Sequence, residues 1–296
     1  MRAHARAAEE TAARPSHEED RHTPFLEYRR FFYLKVAAAV VVGSIVLYLI
    51  DVPLGQPYGG TWAGYTLGTA GAVLILWLLW FGYRKRSYAV SQGKLEAWLS
   101  AHVYLGLALL IVATLHTGFH FGWNIHTAAY ALMCLVIASG AFGIYCYVHY
   151  PRLMTENRGG ITMPQMLARI AVLNENLRTS AMTIDDATAR LVRDATERTE
   201  IGGSAWQQIS GNYPHCTTTR ALAGVDEVAA QCPPEQQDAY RQVRVMLDEK
   251  AQLLSRSRRD LSYKAMMDVW LYFHVPLSFG LLAALLAHVV SVFFFY

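Results

Sequence analysis

Four histidines carry the chemistry that this chain suggests. His102 and His116 lie 14 residues apart in one apolar stretch, and His274 and His288 lie 14 apart in another. In an α-helix that interval separates two side chains by ~21 Å along the axis. It also returns them to within about 40° of the same face. Two helices carrying such pairs can hold two metal centres stacked through a membrane, each gripped by one imidazole from either helix. Imidazole is a strong ligand for haem iron, and an ionisable side chain inside a bilayer is costly enough to imply a function. The spacing therefore predicts two non-covalently bound haems b, His102 with His274 on one iron and His116 with His288 on the other.

Elements of the right length exist to position them. The chain has 296 residues, 53% of them hydrophobic, yet its mean hydropathy is only +0.19, which predicts a part-membrane, part-polar protein. Five runs approach the ~20 apolar residues that span the hydrocarbon. They cover about 31–50, 61–83, 97–121, 127–150 and 268–296. Aromatic residues gather at their ends, as membrane interfaces favour (Phe31, Phe32 and Tyr33; Trp77, Trp80 and Tyr83; Trp98; Trp123; Phe293 to Tyr296). The expected fold is an all-α integral membrane bundle of about five helices. It divides into a polar N-terminal segment (1–30), spans 1–4 (31–150), a helical insert (151–265) and span 5 (266–296).

Lysine and arginine placement gives the orientation. Arg29, Arg30 and Lys35 flank span 1, Arg84, Lys85, Arg86 and Lys94 follow span 2, and Arg152 and Arg158 follow span 4. The connections Asp51–Gly60 and Gly122–His126 hold neither residue. The basic side is cytoplasmic, so the N-terminus and the insert are expected inside and the C-terminus outside, in a multi-pass bacterial-type inner membrane. The polar leader carries six acidic residues and precedes no cleavage-site pattern, so span 1 reads as retained. A net charge of +3 gives no reason to expect nucleic acid. The four cysteines (Cys134, Cys146, Cys216 and Cys232) form neither CxxC nor CxxCH, which argues against a cluster or covalent haem. Cys216 and Cys232 are expected to be reduced if the insert is cytoplasmic.

Within the insert, Pro164 predicts the first turn of a helix whose face holds Met166, Leu167, Ile170 and Leu173 or Leu177. Thr183 and Asp186 read as the N-terminal cap of a second helix to about Thr199. Pro233-Pro234 reads as the start of a third, with Tyr240, Leu247, Leu254 and Leu261 at heptad spacing, running on into span 5. The insert carries no nucleotide loop, nucleophile elbow or zinc spacing. It is either a self-packed hairpin that steadies span 5 or a platform for a partner subunit.

Spans 3 and 5 should cross the membrane in the same direction. That places His102 and His274 together at the inner level, and His116 and His288 at the outer. The ligand-bearing faces also hold Gly106, Leu109 and Ala113 on span 3, and Ser278, Leu281 and Leu285 on span 5. Small residues there let flat macrocycles approach the backbone, and leucines fill the space between rings. Small residues are also common at any membrane helix interface. Lys94, Arg152 or Lys264 are basic residues suited to the inner propionates. His120, Trp123 and His126 suit a quinone, a docked partner or simply the outer interface, and His149 occupies an equivalent inner position. His116 and His120 form an HxxxH, but without a carboxylate it is a weak zinc or copper signal.

Histidine pairs on spans 3 and 5 resemble the transmembrane domain of the ferric reductase and NADPH oxidase superfamily. They are also similar to the di-haem cytochrome b subunits of respiratory complexes. The likeness rests on His102, His116, His274 and His288 and covers roughly 30–150 and 266–296. It implies electron transfer between the membrane faces, from or to a quinone and a redox partner subunit (an iron–sulfur, flavin or c-type cytochrome protein). The chain holds no flavin or nicotinamide domain, so NADPH-driven reduction is not expected of it alone. Two other readings remain open: a non-redox membrane anchor or assembly subunit, and a haem-bearing reductase of a small acceptor.

Overall fold

Long apolar runs with few breakers can satisfy their backbone in lipid only as helices, and every regular element among the described residues is helical. The computed structural model describes residues 25–51, 58–86 and 92–294, with the side chains of 83–86 and 92–94 outside that description. The polar leader to residue 24, residues 52–57 of the first connection, residues 87–91 after span 2, and Phe295 and Tyr296 therefore lie outside the described residues, as do the side chains of Arg84, Lys85, Arg86 and Lys94.

The helices are α1 (Tyr28–Asp51), α2 (Trp62–Arg86), α3 (Gln92–Thr117), α4 (Ile125–Arg158), α5 (Met163–Ser180), α6 (Asp186–Glu197), α7 (Ala205–Ser210), α8 (Thr217–Ala229) and α9 (Gln237–Phe294). Five are long and apolar enough to cross a membrane: α1, α2, α3, and the apolar parts of α4 and α9. Large apolar side chains stand exposed along them, among them Val42, Leu49, Leu76, Leu135, Phe279 and Leu286, as lipid-facing helices require.

The described chain forms two compact units, one ending at Ile137 and resuming at Leu277, the other running from Ala138 to Pro276. In the first, α3 packs against both α1 and α2. Its core joins Ile75 of α2, Leu109 of α3, Met133 of α4 and Leu281 of α9, with Ala113 and Leu285 packed against them. Leu109 and Leu281 meet in this core.

In the second unit the polar segment makes its own core. Leu177, Val192, Ala195, Ala221, Val225, Tyr240, Val243 and Leu247 form one cluster, and Met166, Ile170, Leu173, Leu253 and Leu254 another. Each fully buried aliphatic chain of this size contributes ~1.5–3 kcal/mol. Of the heptad Tyr240, Leu247, Leu254 and Leu261, the first three are buried and Leu261 is half-buried, whereas Leu167 points outward from α5, off the face of Met166 and Ile170.

Local signals set most helix ends here. Thr162 and Gln165 form a reciprocal capping box before α5, with Pro164 in the first turn. The cap of α6 is Asp185, not Thr183: its carboxylate accepts from the amides of Ala187 (2.9 Å) and Thr188 (3.0 Å). It also accepts from the buried Tyr240 hydroxyl (2.6 Å), and with the Thr188 hydroxyl these bonds pull it down to about 2. Helices α7 and α8 lie between the second and third helices read from the sequence, and α9 begins at Gln237 rather than at Pro233-Pro234. Lys250 is buried, donating to the Ala195 carbonyl (2.5 Å), and burial lowers its ammonium to about 8. All four cysteines are free thiols.

Within this unit α4 and α9 run antiparallel and are joined at several levels. The Asn157 amide donates to the Arg256 carbonyl (2.8 Å) and to the buried Asp260 carboxylate (2.9 Å), which also pairs with Arg158. Tyr150 stacks on Tyr263 (5.3 Å), and Tyr147 meets Trp270 edge-on (5.8 Å). Helix α4 continues past Tyr150 through Pro151 to Arg158. Pro151 brings no amide hydrogen to that turn, a loss that membrane helices tolerate.

Candidate functional site

The site is best built from His116. It is the penultimate residue of α3, which stops at Thr117 because Gly118 (φ +56°) and Phe119 (φ +62°) take left-handed conformations. The backbone there folds over, with the Phe119 amide donating to the Thr117 hydroxyl (3.2 Å). Helix α3 thus ends four residues earlier than its apolar run predicts. His120 falls outside it and is exposed. The HxxxH spacing therefore does not place His116 and His120 on one helical face.

The imidazole of His116 lies on a floor of glycines from the start of α2. A Cβ added at Gly68 would come within 2.7 Å of its Cε1 and 3.0 Å of its Nδ1, and one at Gly59 within 3.3 Å of Cε1. Nδ1 donates to the Gly64 carbonyl at 2.8 Å. A carbonyl has no proton to give, so this bond fixes the tautomer: Nδ1 carries the hydrogen and the neutral ring's lone pair sits on Nε2.

His288 of α9 lies next to it, with ring centroids 6.0 Å apart and planes at 82°. Beyond it is His126, the second residue of α4, at 4.6 Å and 88°. The Nδ1 atoms of His126 and His288 are hydrogen-bonded at 2.6 Å. Three helices therefore bring three imidazoles together, in series through His288. They do not converge on one point, and among the described residues no three His, Cys, Asp or Glu side chains share a metal-sized centre.

His274 belongs to the second unit and shows the same habit. Its Nδ1 is hydrogen-bonded to the Ser139 hydroxyl at 2.7 Å. Ser139 is held in turn, its carbonyl accepting from the Trp270 indole N–H at 2.7 Å. The Trp270 ring lies 5.4 Å from His274 and rests on bare backbone at Gly143, where a Cβ would fall 2.1 Å from Cζ2. His102 sits against Phe81 (4.9 Å), flanked by the buried Ser100 and Ala101. Gly106, one turn on, faces open space.

The other expected residues divide. Ala113 packs on the core that holds Leu109 and Leu281, and Ser278 is half-buried on α9. Trp123 is fully exposed. His149 is exposed, stacked on Tyr145 (4.4 Å) with Nδ1 bonded to that residue's carbonyl. Gly59, Gly64, Gly68, Ser139 and Trp270 were not expected at the site. Gly60, Gly64 and Gly68 recur every fourth residue, a small-residue face that signals close helix approach, and that pattern was there to be read.

Two observations test whether these residues fit a haem. Imidazoles on opposite sides of one metal, with nitrogen–metal bonds of about 2.0–2.1 Å, hold their ring centroids about 6 Å apart, and His116 and His288 stand at 6.0 Å. Metal-bound histidines habitually donate their other N–H to a carbonyl, carboxylate or similar acceptor, as His116 does to Gly64. The donor set and its setting fit the group. No family model, curated protein or solved structure matches the chain.

Proposed function

We propose that the chain is a di-haem membrane cytochrome b that carries electrons across the bilayer, between a quinone and a partner redox protein, as a subunit of a larger complex. The observation that carries this reading is the His116–His288 pair. Its rings stand 6.0 Å apart, and the Gly64 carbonyl commits His116 to offering Nε2. The second ligand pair, His102 with His274, is proposed from the repeated 14-residue interval. The Ser139 bond at Nδ1 of His274 supports the same use of Nε2.

Each residue then has a defined task. Gly68 and Gly59 leave room for the His116 ring, Gly64 orients it, and Leu109, Ala113, Leu281 and Leu285 form a dry apolar core in the same unit. A haem with two imidazole ligands has no open coordination site and supplies one-electron chemistry only. Small substrates have nowhere to bind on such an iron, so electrons must enter and leave through a docked protein or a quinone.

The proposed orientation rests on the basic loops: N-terminus and the segment between spans 4 and 5 cytoplasmic, C-terminus outside, in an inner membrane of bacterial type. Its charged, helical surface suits the docking of a partner subunit. Impermeant thiol reagents added to intact cells should leave Cys216 and Cys232 untouched and label them after permeabilisation. Labelling from outside would invert the topology.

The test of the whole reading is a haem count on the purified chain. A pyridine haemochrome assay should find two haems b. His116→Ala or His288→Ala should remove one of them, and His102→Ala or His274→Ala the other. A folded, haem-free protein would refute the reading and leave a membrane anchor in its place.

A further inference from the structure

We infer that His126 is a positioning residue for His288, whose ring it locks in the ligating tautomer and makes more electron-rich. This rests on the haem reading above and concerns the His116–His288 level alone.

The two Nδ1 atoms are 2.6 Å apart, and a hydrogen bond between neutral imidazoles uses one proton. If His126 were the donor, the neutral His288 ring would carry its hydrogen on Nε2 and could not ligate. Ligation through Nε2 therefore requires His288 to donate and His126 to accept. Both rings of the pair then have an acceptor at Nδ1: the Gly64 carbonyl for His116 and the His126 lone pair for His288.

His126 is built to hold that place. It stands at the start of α4, where Asn124 caps the helix by accepting from the Thr127 amide (3.0 Å). The Thr127 hydroxyl in turn accepts from the Gly122 amide (3.1 Å). The near-perpendicular contact at 4.6 Å fixes the ring against His288. An imidazole nitrogen is a stronger base than a peptide carbonyl, so His288 should donate more charge to its metal than His116 does. Greater ligand basicity favours the oxidised iron, and such outer partners typically change metal affinity 10–100-fold.

The test uses the full-length protein with its haems. His126→Phe keeps a flat ring but removes the acceptor, and His126→Gln restores an acceptor oxygen. The haem that His288→Ala removes identifies the level to watch. In His126→Phe, both haems should remain in a haemochrome count. The midpoint of that haem alone should rise, by the order of a tenfold change in its redox equilibrium, ~59 mV for one electron. Its low-spin electron paramagnetic resonance should shift, and His126→Gln should return both readings towards wild type. Should His126→Phe release that haem, its retention in His126→Gln upholds the inference, and its loss from both variants overturns it. An unchanged potential and resonance in His126→Phe would reduce His126 to packing. If His126→Phe loses a haem that His288→Ala keeps, the roles are reversed and His126 is the ligand. A wild-type protein with two haems and an indifferent His126 would sink this inference while leaving the haem reading intact. A haem-free wild type would sink both.

Discussion

Gly68 sets how close His116 can lie to α2, and one methyl group there tests the site. In Gly68→Ala the new Cβ would sit 2.7 Å from Cε1 of His116, where ordinary contact begins at 3.4 Å. The ring must retreat by about 0.7 Å, which stretches its 2.8 Å bond to Gly64 to the limit of a useful hydrogen bond. Overpacking of this kind costs ~1–3 kcal/mol, and the lost bond adds ~0.5–1.5 kcal/mol. Under the proposed haem ligation they predict haem binding at this level some 10- to 1,000-fold weaker, at about 1.4 kcal/mol per tenfold. The assay is haem content and redox titration of the purified variant. Gly71→Ala on the same helix is the control, because its Cβ would meet only Leu109 Cδ1 at an ordinary 3.7 Å. Alanine is also the better helix former by about 1 kcal/mol, so the control should be neutral or mildly stabilising. Two haems with unchanged midpoints in Gly68→Ala would refute the claim that this glycine exists to seat His116.

Other consequences follow from the second unit. Gly143→Ala should push the Trp270 indole off Ser139 and lower the thermal midpoint of the full-length protein by the equivalent of ~1–3 kcal/mol, read by tryptophan fluorescence. Lys250 has a folded value of about 8 against ~10.4 unfolded, so the unfolded chain binds more protons between those pH values. Stability should therefore rise from pH 8 towards pH 10 by roughly 2 kcal/mol, and Lys250→Met should flatten that rise in pH-dependent melts. Asp185 behaves oppositely. Its value of about 2 lies below the unfolded ~3.9, so its contribution is present above pH 4 and lost as pH falls to 2. The carboxylate is exposed, and solvent limits the effect of Asp185→Ala to about 1 kcal/mol, visible as faster hydrogen exchange at Ala187 and Thr188.

What the sequence reveals of this molecule, and what it hides, divides by distance along the chain. The five long helices are legible because burying ~20 apolar residues in lipid leaves the backbone no alternative. The start of α5 is legible because Pro164 is confined to a helix's first turn. The end of α3 is not, since Phe119 adopts a left-handed conformation that no propensity forecasts. Helix α8 is hard to read because its buried face is small and mixed (Thr218, Ala221, Val225) and the side chain of its N-terminal residue, Cys216, does not cap the helix. The 14-residue interval exposes the histidine pairs, but not what holds them. Gly64 lies 52 residues from His116, Ser139 lies 135 from His274, and His126 lies 162 from His288. Read locally, His126 groups with His120 and Trp123 as a polar and aromatic cluster between two spans, a pattern that suits an interface or a quinone as well as a partner for His288.

The antiparallel seam between α4 and α9 acts as an index. From Asn157–Asp260 through Tyr150–Tyr263 and Tyr147–Trp270 to Ser139–His274, each pairing fixes the angular setting of α9. One residue added between Tyr263 and Trp270 would turn everything beyond it by about 100°, swinging His274 away from Ser139. Seven added residues would bring the face back to within about 20°, though displaced by ~10.5 Å along the axis. Length changes in this stretch are therefore tolerable only in near-whole turns, and even then only if α4 grows to match. The two helices can lengthen together or not at all, like meshed gears that must keep the same tooth count.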